Sequence, residues 1–170
     1  DLKRVGEHRN FDTGKKLFSA LGCAQCHRLS KDDMGTSPTL GAGLGQSVGP
    51  NIDDTVKKYK RDAGAVLREI LESSRNIDDK YRQMIIALDN GKSLTGVIAS
   101  ETDTTLTLLS GSPPKKVEIS KKTIDDRVGS PVSIMPSGLL NTLDKEQILD
   151  LLAYLFAGGN PKDAAFHHHH

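Results

Sequence analysis

Five consecutive residues, Cys23-Ala24-Gln25-Cys26-His27, constrain this chain more than anything else in it. They contain both of its cysteines, so no larger disulfide framework is available to shape the fold. A Cys-x-x-Cys pair alone reads as a thiol redox motif, half of a zinc site, a short disulfide or a haem attachment site. Zinc needs four ligands. Beyond carboxylates, only His27 and the distant His8 could complete a set, because His167 to His170 read as the remnant of a purification tag. A thiol redox motif wants a βαβ setting, and the flanking sequence offers none.

The histidine that directly follows Cys26 selects covalent haem attachment. Two thioether bonds from the cysteine sulfurs to the haem vinyl groups would pin one edge of the ring. The next side chain would then lie beneath the iron, where an imidazole can ligate it.

The flanks agree with a small, mainly helical domain. Residues 12–22 read as a helix with Asp12 as N-cap, Gly22 as C-cap and an apolar stripe of Leu17, Phe18 and Leu21. The strongest helical pattern runs over 144–157. There Asp144 and Gln147 suit a capping box, and Ile148, Leu151, Leu152, Leu155 and Phe156 repeat at helical spacing. Residues 53–75 predict one or two helices, with Asp62 capping one whose face carries Val66, Leu67, Ile70 and Leu71.

Residues 80–125 change character. Met84, Ile86 and Leu88 alternate, Asp89-Asn90-Gly91 signals a hairpin, and strands follow at 94–99, at 104–109 and around Val117 and Ile119. About four short antiparallel strands, similar to a small SH3- or Sm-like sheet, are therefore expected inside a helical protein.

Gly14-x-x-x-Phe18, the motif at 23–27, Gly49-Pro50, Met135-Pro136 and Ala153-Tyr154-Leu155 together resemble a class I c-type cytochrome. Closer still is the haem-binding domain described for the Planctomycetes–Verrucomicrobia group. It is matched by residues 49–52, 70–78, 81–82, 89–91, 133–140 and 150–155. The resemblance implies a mainly α class I cytochrome c fold, with the sheet inserted between the proximal and distal haem-ligand halves. It implies that Gly14 and Phe18 pack on Tyr154 where the first and last helices cross. It further implies one covalent haem c, His27 as proximal ligand, the Pro50 carbonyl accepting from the other ring nitrogen of His27, and Met135 as sixth ligand.

Of the other methionines, Met84 falls on an apolar strand face and reads as core. Met34 follows His27 so closely that an extended chain would span only about 24 Å, leaving little slack to round the ring. His8 is a further candidate ligand.

The organisation that follows is an N-terminal arm or linker over 1–11, a cytochrome domain over 12–166 and the tag remnant over 167–170. The function implied is one-electron transfer with His/Met ligation, as the electron-accepting module of a larger secreted or periplasmic protein. A redox partner or a fused dehydrogenase domain would complete the chain of transfer. In the cytochromes resembled haem attachment belongs to the periplasmic side, so a sequence without a signal-peptide pattern is expected to be an excised domain or a mature form. The alternative is a haem enzyme or gas sensor with an open or labile sixth position. No catalytic constellation stands beside the motif, which favours electron transfer over an enzyme.

Other partner classes are disfavoured. The net charge is +1, so bulk charge does not suit a polyanion partner such as nucleic acid. No apolar run is long enough to span a membrane. The glycine-rich stretch 30–48 lacks the Gly-Lys-Ser/Thr ending of a phosphate loop and reads as a loop following the haem perimeter. The basic run Lys57, Lys58, Lys60 and Arg61 reads as a solvated face, with partner docking or propionate balance as its functional reading.

Overall fold

The computed structural model describes residues 2–29 and 48–167. Its helices are α1 (Phe11–Ala20), α2 (Ile52–Lys58), α3 (Ala63–Leu71) and α4 (Lys145–Phe156). Its strands are β1 (Gln83–Leu88), β2 (Ser93–Glu101), β3 (Thr105–Ser110), β4 (Lys115–Ser120) and β5 (Ile124–Gly129), joined with short 3-10 turns. The stretch 30–47, with the glycine-rich loop and Met34, lies outside the described residues. Among the described residues no helix is long and apolar enough to cross a membrane.

The helix ends follow their capping chemistry. Asp144 and Gln147 form a reciprocal capping box that satisfies two otherwise orphaned N–H groups at the start of α4. Asp62 caps α3 by accepting from the Ala65 N–H. On α1 the cap is Asn10, not Asp12: the Asn10 side chain accepts from the Thr13 N–H at 2.9 Å. Asn and Asp cap about equally well, so geometry decided which one was used. Leu21 is the C-cap of α1, and Gly22 sits one position beyond it at φ 81°, the left-handed conformation that lets the chain leave the helix.

The first and last helices cross at Gly14. A Cβ there would lie 2.5 Å from the Asp150 carbonyl oxygen and 2.6 Å from the Tyr154 Cβ. Phe18 and Tyr154 pack beside this crossing, with ring centroids 5.7 Å apart. Residues 2–10, the charged arm of the sequence, lie against the same helix. Val5 is buried among Leu149, Leu152 and Ala153, and Arg9 bonds Glu146 at 2.9 Å.

Because the two helices are already in backbone contact, Gly14→Ala should destabilise the protein by about 1–3 kcal/mol through overpacking, visible in a denaturant titration. An unchanged midpoint would mean that the helices do not meet there.

The sheet has five strands rather than about four, in the order β4-β3-β2-β1-β5, all antiparallel. It spans 83–129, not 80–125. The missed strand β5 reads Ile-Asp-Asp-Arg-Val-Gly and is exposed over all but its first residue, so it carries no apolar alternation. Charged edge strands of this kind discourage pairing with other chains, and their sequences resemble loops. At Asp89-Asn90-Gly91 the chain makes a three-residue hairpin with Gly91 at φ 78°.

One face of the sheet gathers Ile86, Leu106, Leu108 and Ile119, with Met84, Leu94 and Ile124 packed around them. All of these residues belong to the sheet, so it curls about its own apolar face. The other face presents Val97 and Leu109, which pack with Val48 and against Cys26 and Ile134. The sheet therefore rests on both the Cys-x-x-Cys-His segment and the loop that carries Met135. On α3, Val66, Leu67 and Ile70 face the core, but Leu71 is 52% exposed. It is the last residue of the helix, where the apolar stripe has rotated outward.

Candidate functional site

The five candidate site residues Cys23, Cys26, His27, Pro50 and Met135 all line one cavity of about 650 Å³, within the size range of cofactor pockets. Met135 reaches it from 108 positions beyond His27.

The wall under His27 is built by local hydrogen bonds. The left-handed Gly22 turns the chain out of α1 into a 3-10 turn over Cys23–Gln25. The Cys26 and His27 N–H groups both donate to the Cys23 carbonyl, at 3.2 and 2.9 Å. Gly49 then donates its N–H to the Cys26 carbonyl at 3.0 Å, which lays residues 48–50 beside the imidazole. At Gly49 a Cβ would stand 2.5 Å from Cε1 of His27, 2.9 Å from Nδ1 and 3.0 Å from Nε2. Only glycine leaves the ring that space.

His27 Nδ1 lies 2.8 Å from the Pro50 carbonyl oxygen. A carbonyl can only accept, so this contact places the proton on Nδ1 and leaves the Nε2 lone pair for a partner in the cavity. Burial lowers the imidazole pKa, and the bond to Pro50 acts in the opposite sense. The neutral form that burial favours is the form that ligates a metal.

The thiols sit in two different packing environments. Cys23 is flanked by the helical core around Phe18 and Leu29, whereas Cys26 touches the sheet cluster of Val97 and Leu109. They are not joined in a disulfide. Burial pushes the Cys23 thiol up to about 11 and raises Cys26 as well. That is the reverse of the depressed thiolate that drives thiol redox enzymes. Among the described residues no group of three or more His, Cys, Asp or Glu gathers as a metal cage, which leaves zinc without a ligand set there.

Another part of the wall comes from the C-terminal half. Ile134, Met135 and Pro136 line the cavity, with Leu139 and Leu140 beyond them. Met84 is instead packed in the sheet core. His8 does not line the cavity. Ile70 of α3, Ser73 just beyond that helix, and Gly111 and Ser112, from the turn between β3 and β4, also line it. Ser112 Oγ donates to the Gln25 side chain at 3.4 Å, so the sheet reaches the motif itself.

The sequence places Ile70 on the apolar face of a helix, but it assigns none of these four residues to the site. The helical spacing of Ile70 was a usable signal, but nothing local marks Gly111 or Ser112, which arrive through docking of the sheet. Of the basic run, Lys58 lines the cavity together with Tyr59, over whose ring its ammonium lies 5.4 Å from the centroid.

In chemical terms, the cavity offers a mainly apolar guest two protonated thiols, one imidazole nitrogen and one thioether. Asp54, Lys58, Glu69, Asp78 and Lys80 add charged groups to the same lining.

Residues 11–95, half of the chain, match the family model described as Cytochrome c. The matched region includes the Cys-x-x-Cys-His motif and Pro50 and stops within β2, before Met135. A comparison with curated proteins gave no match.

Proposed function

The chain belongs to the cytochrome c family and carries covalently attached haem c, and on that premise we propose that it is a monohaem one-electron carrier with His27 and Met135 as axial ligands. Cys23 and Cys26 form the thioethers in this reading. The sheet is an insertion between the two halves of a class I fold, and the domain extends over residues 12–166. The domain is of the Planctomycetes–Verrucomicrobia haem-binding type and serves as the electron-accepting module of a larger periplasmic or secreted protein. Its partner is a separate redox protein or a dehydrogenase domain fused to it.

The observation that carries the reading is the convergence of all five candidate residues on one cavity. The residues fit the group. The Gly49 hollow accepts the imidazole, Pro50 fixes its tautomer, and the two thiols lie beside His27 in the same wall.

Bound haem c would supply a one-electron couple at its iron, held by His27 and Met135, and the Met135 thioether would raise the potential of that couple. The chain's own residues hold, tune and shield. Pro50 keeps the His27 proton on Nδ1 and makes Nε2 a stronger donor. Ile70, Leu139, Leu140, Leu151 and Leu155 line the cavity with apolar surface that excludes water. In this reading no proton need be transferred by a side chain.

Covalent attachment is tested with acidified organic solvent. The haem should stay with the wild-type polypeptide and become extractable when Cys23 and Cys26 are both replaced by Ser. Release of intact haem from the wild type would sink the assignment.

A further inference from the structure

The loop bearing Met135 has no helix or strand of its own between β5 and α4, and Pro136 contributes no N–H. Its backbone is held by hydroxyls instead. Ser73 Oγ donates to the Met135 carbonyl at 2.9 Å. Ser133 Oγ accepts from the Met135 N–H at 3.1 Å. Ser74 Oγ in turn accepts from the Ser133 N–H at 3.0 Å. Ser73 and Ser74 directly follow Glu72, the C-cap of α3, and that helix packs its Ile70 into the core. Two consecutive side chains at one helix end thus hold both the Met135 peptide and the residue two positions before it. Ser73 is half-buried and lines the cavity.

We propose that Ser73 and Ser74 are positioning residues for the distal ligand, fixing the Met135 backbone so that its thioether stays at the iron and resists displacement. The proposal rests on the reading of Met135 as ligand. A surface turn that only ended α3 would affect stability when altered. A turn that holds the ligand also sets how easily an outside molecule takes the ligand's place. Removing a hydroxyl from a hydrogen bond of this kind shifts a local equilibrium about fivefold.

The test is a titration of the oxidised holoprotein with imidazole, followed by absorption, with thermal unfolding recorded alongside. Ser73→Ala should bind imidazole about fivefold more tightly than the wild type. Ser73→Thr, which keeps the hydroxyl, should bind like the wild type. Ser74→Ala leaves the cavity lining intact, and it should shift binding in the same direction as Ser73→Ala.

Met135→Ala separates the two levels of the argument. If it binds imidazole no more tightly than the wild type, Met135 is not the ligand and the underlying reading fails. If it binds more tightly while both serine-to-alanine variants match the wild type, the ligand reading stands and the positioning role is overturned.

Discussion

Gly49→Ala is expected to lower the yield of correctly ligated holoprotein by about 10–100-fold, the range seen when the groups that orient a metal ligand are lost. The new methyl would stand 2.5 Å from Cε1 of His27, well inside contact distance. The backbone cannot simply retreat, because the Gly49 N–H is bonded to the carbonyl of Cys26, the residue next to His27 itself. The ring must therefore swing away and lose its bond to Pro50. The fraction of chains with the wild-type absorption spectrum, set against an unchanged far-ultraviolet circular dichroism signal, measures the effect. A variant with normal haem ligation would show that His27 does not lie over Gly49.

Met135→Ala should abolish the far-red sulfur-to-ferric-iron charge-transfer band and lower the reduction potential. The drop would be a part of the roughly 0.8 V range over which axial ligands set haem potentials. It should also admit carbon monoxide to the reduced protein. The argument is one of position. Met135 lines the His27 cavity, whereas Met84 is packed in the sheet core. The loop is anchored on one side by α4 and on the other by the contact of Ile134 with Val97 and Leu109. Retention of the band in this variant, with its loss in Met34→Ala, would move the ligand to the segment that follows His27.

Much of this arrangement was legible in residue order because its determinants are local. The motif at 23–27, the capping box at Asp144 and the hairpin at Asp89-Asn90-Gly91 each specify chemistry within five residues. The crossing at Gly14 was legible only through family resemblance, since nothing near Gly14 announces Tyr154. Strand β5 escaped because a charged edge strand buries too little to leave a pattern.

The role of the sheet escaped for a different reason. Val97 and Leu109 read as ordinary strand residues, and their contacts with Cys26 and Ile134 arise only when the sheet docks. The serine contacts to the Met135 loop bridge some sixty positions, so they too are a product of tertiary structure.

The central claim is a single covalent haem held between His27 and Met135. It is tested most directly by the absorption spectrum of the untouched protein, recorded oxidised, then reduced, then reduced under carbon monoxide. The account predicts the far-red thioether band in the oxidised form and a reduced spectrum that carbon monoxide leaves unchanged. Absence of that band, together with a reduced spectrum that shifts at once under carbon monoxide, would contradict it and indicate an open sixth position.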